Sequence, residues 1–312
     1  MAFRTQANVL RHRDFRLLFL GQSISQIGTS AVTVAMALYV TQRTGSATDL
    51  AVILGAAALP LVALILFGGV WADRLPRHRL VIGSDLTRAV LHALLGVLIL
   101  TGHPAIWLIA VIEAAFGAAQ AFFEPAYVGL IPQTVPEEEI QAAQALRGAI
   151  ENACVVLGPV IATTLVLTIG AGETFLLDAA SFMIGAVLLV PVKPRARGEV
   201  RRSADGFIHE LRAGYREVAS RTWVWATILA YTGVVLFALV TWLAVGPLAV
   251  REIYGHVGFY GALMAVWGAG SVLASVLTAV WHPRRPLRLG LAFGAVWALP
   301  GLVIALAPHD RS

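Results

Sequence analysis

The chain has 312 residues, of which 58% are hydrophobic and 13% charged, and its mean hydropathy is +0.77. This composition excludes an ordinary water-soluble domain and is typical of membrane proteins. The formal net charge of +5 does not indicate nucleic acid as a partner, because the arginines lie between apolar segments. Cys154 is the single cysteine, so neither a disulfide framework nor a cysteine-based metal site is predicted.

Nine apolar segments are long enough to cross a bilayer as helices, which requires about 20 residues each. In chain order they are 17–41, 49–72, 80–101, 105–127, 143–168, 173–192, 223–247, 257–281 and 287–307. The first segment is too long for a cleaved signal peptide, so we expect it to stay as a membrane helix. The sequence therefore predicts an all-α polytopic membrane protein embedded in the lipid bilayer.

Basic residues predict the orientation of these segments. If the N-terminus lies in the cytoplasm, 20 of the 23 lysines and arginines fall in cytoplasmic connections or in the span ends next to them. Such an excess is what the positive-inside rule describes. With nine segments, Ser312 is then expected outside.

The longest basic connection divides the chain into predicted domains. Residues 1–192 form a bundle of six transmembrane helices, 193–222 a basic cytoplasmic linker, and 223–312 a partial second bundle of three helices. The linker also has apolar residues spaced for an amphipathic helix on the membrane surface, namely Phe207, Ile208, Leu211, Tyr215 and Val218.

Several ionisable residues lie within the predicted spans. A charge at the centre of a span costs about 2.5–3.5 kcal/mol on insertion scales, so such residues mark a functional interior by default. Asp85 and Arg88 are three residues apart, and Arg147 and Glu151 are four apart, so each couple can form an ion pair on one helix face. These pairs can either hold the ends of helices together or take part in transport. Asp178 can likewise cap or connect helices or take part in transport.

Glu113 lies near the middle of the fourth span and has no basic partner on its own helix. It begins a polar stripe at helical spacing, which consists of Glu113, Gly117, Gln120 and Glu124. The first span has a stripe of the same spacing, which consists of Gln22, Gln26, Thr29 and Thr33. We expect the two stripes to face each other or a water-filled cavity. We expect Glu113 to couple protons or bind a cation, with a buried hydrogen-bonding role as the alternative. The predicted cavity residues are Glu113, Gln120, Gln22, Gln26, Thr29, Thr33 and Glu151. His92 in the third span is interpreted as a packing residue.

The stretch from Gly69 to Arg79 joins the second and third spans. Its glycine predicts a close approach of helices, and its charges suit a headgroup region. The spacing resembles Gly-x-x-x-Asp-Arg-x-Gly-Arg-x-Arg, the loop between helices 2 and 3 of the major facilitator superfamily of secondary transporters. The matching residues are Gly69, Asp73, Arg74, Arg77 and Arg79, while Pro76 replaces the second glycine. A tight loop that holds arginines only because it is cytoplasmic is the alternative.

Other segments resemble particular branches of this superfamily. Gly158 and Pro159 match the core of its antiporter motif. Glu124-Pro125-Ala126 and Gln144-Ala145-Leu146 resemble the macrolide-efflux and siderophore-exporter branch. The resemblance implies proton-coupled efflux of a drug-like or siderophore-like small molecule by alternating access at the plasma membrane, without a cofactor or metal.

Two alternatives to this transporter are a truncated, non-transporting fragment and a subunit that needs a partner chain or oligomer, because family members have three further helices. An enzyme is not indicated, since the sequence lacks a phosphate-binding loop, a His-Glu-x-x-His motif and a Gly-x-Ser-x-Gly motif. In the family, the aspartate at the position of Asp73 faces an eleventh helix. We expect Asp73 here to pair with Arg74, Arg77 or Arg79.

Overall fold

The computed structural model describes residues 8–195, 219–234 and 241–254 and the single residues 216, 260, 263, 266 and 270. Contacts divide the chain into one unit of residues 1–200 and 261–272 and a second of residues 201–260 and 273–312. The first unit contains six long helices. They are α1 (Arg13–Thr44), α2 (Ala47–Arg74), α3 (Arg77–Thr101), α4 (Ile106–Leu130), α5 (Ile140–Thr168) and α6 (Ala171–Leu189). Short 3-10 helices lie at Val9–Arg11, Ile131–Gln133 and Glu137–Glu139.

The predicted all-α, polytopic fold class is confirmed. Five helices of the first unit are long and apolar enough to cross a membrane, and α5 is a sixth if its two bent halves form one span. In the second unit the structure describes α7 (Thr222–Val234) and α8 (Thr241–Tyr254). The predicted spans at 257–281 and 287–307 and the predicted linker helix lie outside the described residues, apart from the single positions already named.

Helix ends differ from the predicted ends where a helix continues beyond its apolar part. The seventh span was expected to end at residue 247, whereas α8 continues to Tyr254. At the other end of the chain, α1 begins at Arg13 rather than at residue 17. Hydropathy marks only the apolar part of a helix, whereas the helix can continue through charged residues such as Arg251.

A two-residue turn reverses the chain between the first two helices. Gly45 ends α1 in the left-handed conformation at φ 64°, which glycine adopts without a Cβ penalty. Its amide donates to the Thr41 carbonyl oxygen at 3.1 Å. Ser46 then caps α2 by accepting a hydrogen bond from the Asp49 amide at 3.2 Å. The first two helices therefore run antiparallel.

Glycines bring α2 and α4 into direct backbone contact. A Cβ on Gly117 would lie 1.9 Å from the Ala57 carbonyl oxygen, and one on Gly68 would lie 2.0 Å from that of Ala121. The sequence also predicted a close approach of helices at Gly69. This prediction is wrong, because a Cβ there would meet no atom within 4 Å in the described structure. Adjacent helical residues point about 100° apart, so only one of two neighbouring glycines faces α4.

The other helices pack in a fixed order around the same interior. Helix α3 packs on α6 and α4, while α1 packs on α6 and α5. One buried apolar cluster includes Phe15, Leu18 and Leu130 near the α2–α3 connection, and another includes Leu50 and Phe175 toward the other end of the helices. Along α1, α3, α4 and α6, the buried polar residues other than Thr41 and Thr174 lie between these two clusters.

Candidate functional site

A layer of buried polar side chains crosses the middle of the first unit. We call it the polar layer, and its buried members are Gln22, Ser25, Ser84, Asp85, Arg88, His92, Glu113, Asp178 and Ser181. They come from α1, α3, α4 and α6. Because a buried charge costs free energy unless it is paired and hydrogen-bonded, the contacts of each member decide what the layer can do.

Arg88 is the centre of one half of the polar layer. Its guanidinium donates to Asp85 Oδ1 and to Gln120 Oε1 at 2.6 Å. Gln22 on α1 donates to the other carboxylate oxygen of Asp85 at 2.8 Å. The structure thus brings together four residues that the sequence proposed for two separate roles, an ion pair and a cavity wall.

The guanidinium of Arg88 also lies between two aromatic rings. The ring centroids of Phe123 and Phe182 are 3.8 and 4.3 Å from its central carbon. A delocalised, planar cation is attracted to both ring faces and is more weakly hydrated than an ammonium group. This arrangement favours arginine at a position from which water is excluded.

Hydrogen bonds and ion pairs continue from Arg88 to α5. The Gln120 side-chain amide donates to Glu124 Oε1 at 2.7 Å. Arg147 lies 3.9 Å from the other oxygen of Glu124 and 2.6 Å from Glu151 Oε1. The predicted Arg147–Glu151 couple is therefore adjacent, and a continuous polar chain links α1, α3, α4 and α5.

A small, open pocket lies beside the end of this chain. Its lining comes from α1, α4 and α5 and includes Gln22, Gln26 and Glu151 together with the rings of Phe19 and Tyr127. Three of the predicted cavity residues therefore share one pocket. Aromatic faces next to amides and a carboxylate suit an amphipathic molecule, because they offer apolar contact and hydrogen bonds together.

His92 is the centre of the other half of the polar layer. Its Nδ1 lies 2.5 Å from Asp178 Oδ2 on α6, and its Nε2 lies 3.7 Å from Glu113 Oε1 on α4. The ring stacks on Phe116 with centroids 4.1 Å apart. Gly28 on α1 leaves room for this cluster, since a Cβ there would lie 2.3 Å from Asp178 Oδ1.

The environment of Glu113 differs from the one expected from the sequence. Its side chain faces His92 on α3 rather than the first-span stripe, because α4 packs on α2 and α3 whereas α1 packs on α5 and α6. Thr29 is half-buried and Thr33 exposed, and the Thr33 hydroxyl donates to the Thr29 carbonyl at 3.0 Å. A polar stripe identifies a helix face but does not identify the helix it meets.

His92 and Asp178 are the residues that the sequence underrated. One signal was present, because Asp85, Arg88 and His92 have the i, i+3 and i+7 spacing of a single helix face. A titratable histidine next to an arginine and an aspartate on that face indicates a buried polar cluster more strongly than a lone histidine does.

Comparison with known proteins identifies the family. The sequence model of the Major Facilitator Superfamily matches residues 18–310. The chain belongs to the major facilitator superfamily. It is 24% identical over 222 residues to macrolide efflux protein A of Streptococcus pyogenes, a match that covers 70% of this chain and 54% of that protein.

Further relatives agree with this membership. The multidrug efflux pump Tap of Mycobacterium bovis (strain BCG / Pasteur 1173P2) is 25% identical, with 93% of this chain and 73% of that protein covered. Among solved structures, a bacterial homolog of the human lysosomal transporter Spinster has the same fold, with a TM-score of 0.63 and 16% identity over 90% of this chain and 64% of that chain. The chain spans about half the length of the first curated relatives it matches.

The superfamily motif between α2 and α3 is organised by Arg77. Its guanidinium donates to Asp73 Oδ1 at 2.8 Å, to the Gly129 carbonyl at 2.7 Å and to the Ala72 carbonyl at 3.2 Å. The last carbonyls of a helix are unpaired and carry partial negative charge, so Arg77 stabilises the end of α4. Of the three arginines considered for Asp73, the structure pairs it with this one. Arg74 and Arg79 are exposed.

The part of the chain that resembles the superfamily's antiporter motif lies at a bend in α5. The two halves of the helix, up to Cys154 and from Leu157 onward, meet at 45°. Pro159 follows this point and lacks the N–H that would bond to the carbonyl four residues earlier, which accounts for the bend. Gly158 packs on α1, where a Cβ would lie 2.6 Å from that of Ser30.

Proposed function

We propose that this chain belongs to a secondary active transporter that exports an amphipathic small molecule in exchange for protons. The observation that carries the proposal is the polar layer, in which Asp85, Arg88, His92, Glu113 and Asp178 are buried in the middle of membrane-spanning helices. Ionisable groups at this depth are costly and mark ion or substrate pathways. Their contacts connect four of the six helices of the first unit.

The pocket beside Glu151 supports an amphipathic substrate. Rings of Phe19 and Tyr127 provide apolar surface, and Gln22, Gln26 and Glu151 provide hydrogen-bonding groups. Relatives named for macrolide efflux and multidrug efflux support a drug-like compound. A siderophore-like compound is the second substrate class suggested by the sequence. We propose release to the outside by alternating access, with the N-terminus in the cytoplasm and the chain in the plasma membrane.

Proton coupling is assigned to Glu113. It is a carboxyl group that is buried in the bundle and lacks a hydrogen bond at Oε1 within the described residues. Such a group is neutral when dry and ionised when water reaches it, because burial disfavours the charged form. Alternation between these two states is the property that exchange against protons requires.

The relatives' names favour transport over a non-transporting protein. A subunit completed by a partner chain is the second alternative, and it would be a transporter as well. The same relatives are transporters rather than enzymes by name, which supports a role without catalysis.

Dye export from vesicles tests the proposal. The full chain is reconstituted into lipid vesicles. The vesicles are loaded with a fluorescent amphipathic dye or a macrolide, and a proton gradient is then imposed across their membrane. We expect gradient-driven export by the wild-type chain and at least about a tenfold loss in Glu113→Gln, since removing an essential proton-transfer group typically costs 10²–10⁴-fold. Dye exchange without a gradient should persist in this variant, because the amide resembles the neutral acid.

Glu173→Gln is the matched control, because Glu173 is a carboxylate near the start of α6 and outside the polar layer. This variant should export normally. Gradient-driven export that is undiminished in Glu113→Gln would contradict the assignment of Glu113. Failure of the wild-type chain to export any tested compound would contradict the transporter proposal for this chain alone.

A further inference from the structure

His92 on α3 and two acids on two other helices form one cluster of titratable groups. Asp178 on α6 faces Nδ1, and Glu113 on α4 faces Nε2. On α3, Arg88 lies one helical turn from His92 and Asp85 lies two turns away. On α1, the neighbouring residues Gly28 and Ser25 are not ionisable, and α2 has ionisable residues only near its ends. The two carboxyl groups lie on opposite edges of the imidazole, so they do not converge on a common metal position.

Counting charges shows that this cluster must hold an additional proton. Arg88 and Asp85 neutralise each other through their ion pair. If His92 is an imidazolium and both Asp178 and Glu113 are ionised, one negative charge is left without compensation. A buried ion keeps a desolvation penalty even after the protein relaxes, so a neutral cluster is strongly favoured. One of the two acids is therefore protonated.

The distances show which acid carries the proton. Asp178 has a 2.5 Å contact with His92 Nδ1, as expected of a carboxylate next to an imidazolium, whereas the Ser181 hydroxyl makes its shorter hydrogen bond, 2.7 Å, to the Asp178 backbone carbonyl. Between His92 Nε2 and Glu113 Oε1 the distance is 3.7 Å, and neither atom has a hydrogen bond within the described structure. An ionised Glu113 would draw the imidazolium N–H to about 2.7–2.9 Å.

We infer that Glu113, His92 and Asp178 form one proton-binding site, in which the exchangeable proton is on Glu113 and the His92 imidazolium is held by Asp178. When water reaches the site, the O–H bond of Glu113 breaks and its proton passes to water. The resulting carboxylate accepts the Nε2–H of His92, and the 3.7 Å gap closes. Proton uptake reverses both changes.

This site links proton occupancy to helix position. Asp178 fixes the imidazole from α6, so closing the gap draws Glu113 and α4 toward α3. The charge of the cluster alternates between zero and minus one. Asp178 and His92 are positioning residues, whereas Glu113 exchanges the proton. The use of this movement for export rests on the proposed function, but the location of the proton does not.

Infrared difference spectroscopy of the full chain in detergent at neutral pH tests the site directly. A neutral carboxylic acid has a C=O band that a carboxylate lacks. We expect one such band in the wild-type chain and its complete loss in Glu113→Gln. We also expect its loss in Asp178→Asn, although Glu113 is still present, because removal of one negative charge lets Glu113 ionise against His92. The Glu173→Gln control on the same helix as Asp178 should keep the band.

Two results would overturn the inference. The first is that no carboxylic acid band of the wild-type spectrum disappears in Glu113→Gln. The second is a band that persists in folded Asp178→Asn, because the two acids would then not share the charge of His92. Glu113→Gln replaces a neutral acid by an amide of the same size and should fold. If Asp178→Asn does not fold, Glu113→Asp decides the question, since it must shift the band and an unshifted band would refute the assignment.

The spectra are recorded without substrate and without a gradient, so they do not depend on export. A protonated Glu113 in a chain that fails to export would support this inference and contradict the proposed function. Export that survives in Glu113→Gln, combined with loss of the band, would place the proton on Glu113 and remove its role in coupling.

Discussion

At the scale of single residues, Arg88 shows how a cation is retained in the middle of a helical bundle. Its charge is balanced by Asp85 and its two faces are covered by Phe123 and Phe182. The ion pair does not imply a large net gain in stability, because desolvation of both charges opposes their attraction. Removal of only one of the two residues does destabilise the fold, since an unpaired charge is then left in the interior.

We expect Arg88→Met to lower the free energy of unfolding by about 3–5 kcal/mol, because it leaves Asp85 buried without its partner. The double variant Arg88→Met with Asp85→Asn should recover most of this loss, since no charge then remains. Reversible unfolding in mixed detergent, followed by circular dichroism, measures both. Equal destabilisation in the single and the double variant would show that Arg88 acts through aromatic packing rather than through the charge of Asp85.

At the scale of helices, the contact of α2 with α4 depends on which glycine faces the partner. Gly68 and Gly117 each touch a backbone carbonyl of the opposite helix. In a membrane, association of helices depends on close packing, because lipid is as apolar as the side chains. The contact of Gly68 cannot be assigned from the sequence, since the motif begins at Gly69 and Gly68 lies just outside it.

Two neighbouring substitutions test this contact with the same change in chemistry. We expect Gly68→Ala to destabilise the fold by about 1–3 kcal/mol, as overpacking typically does, because its methyl group would meet the Ala121 carbonyl at 2.0 Å. Gly69→Ala should be neutral or stabilising by up to about 1 kcal/mol, since alanine restricts the unfolded chain and has open space here. Thermal unfolding of both variants decides, and a larger loss in Gly69→Ala would contradict the packing described.

At the scale of the whole molecule, the first unit has a polar layer between two apolar clusters. The apolar clusters can hold the six helices together at both ends while the layer between them changes charge. A change of one proton at Glu113 then acts at the centre of the bundle. The orientation of this unit in the membrane is a prediction from the distribution of arginines and lysines.

Labelling of single cysteines tests this orientation. Cys154 is buried, so its background reactivity should be low, and Cys154→Ser removes it. With the N-terminus inside, His103→Cys should react with a membrane-impermeant maleimide on intact cells. Arg79→Cys should react only after the cells are made permeable. Both positions are exposed in the structure, so reaction in the opposite order would show that the predicted topology is inverted.

The sequence by itself determined the elements that depend on local properties. Length of the apolar segments is enough to identify α1 to α6, because a bilayer requires about 20 apolar residues from any spanning helix. The motif around Asp73 and Arg77 was recognisable from its spacing, since those residues are close along the chain. Asp73 near the end of α2 and Arg77 at the start of α3 are only four residues apart in the chain, which keeps the two side chains within reach of each other.

Only the tertiary structure decided which polar side chains meet. Asp178 is 86 positions beyond His92 in the chain, and the interaction of both with Glu113 depends on how α3, α4 and α6 pack. A helical stripe predicts the buried face from a period of 3.6 residues, but the neighbouring helix is chosen by close packing at positions such as Gly28 and Gly117. For this reason Glu113 was identified from the sequence, whereas its partner His92 was not.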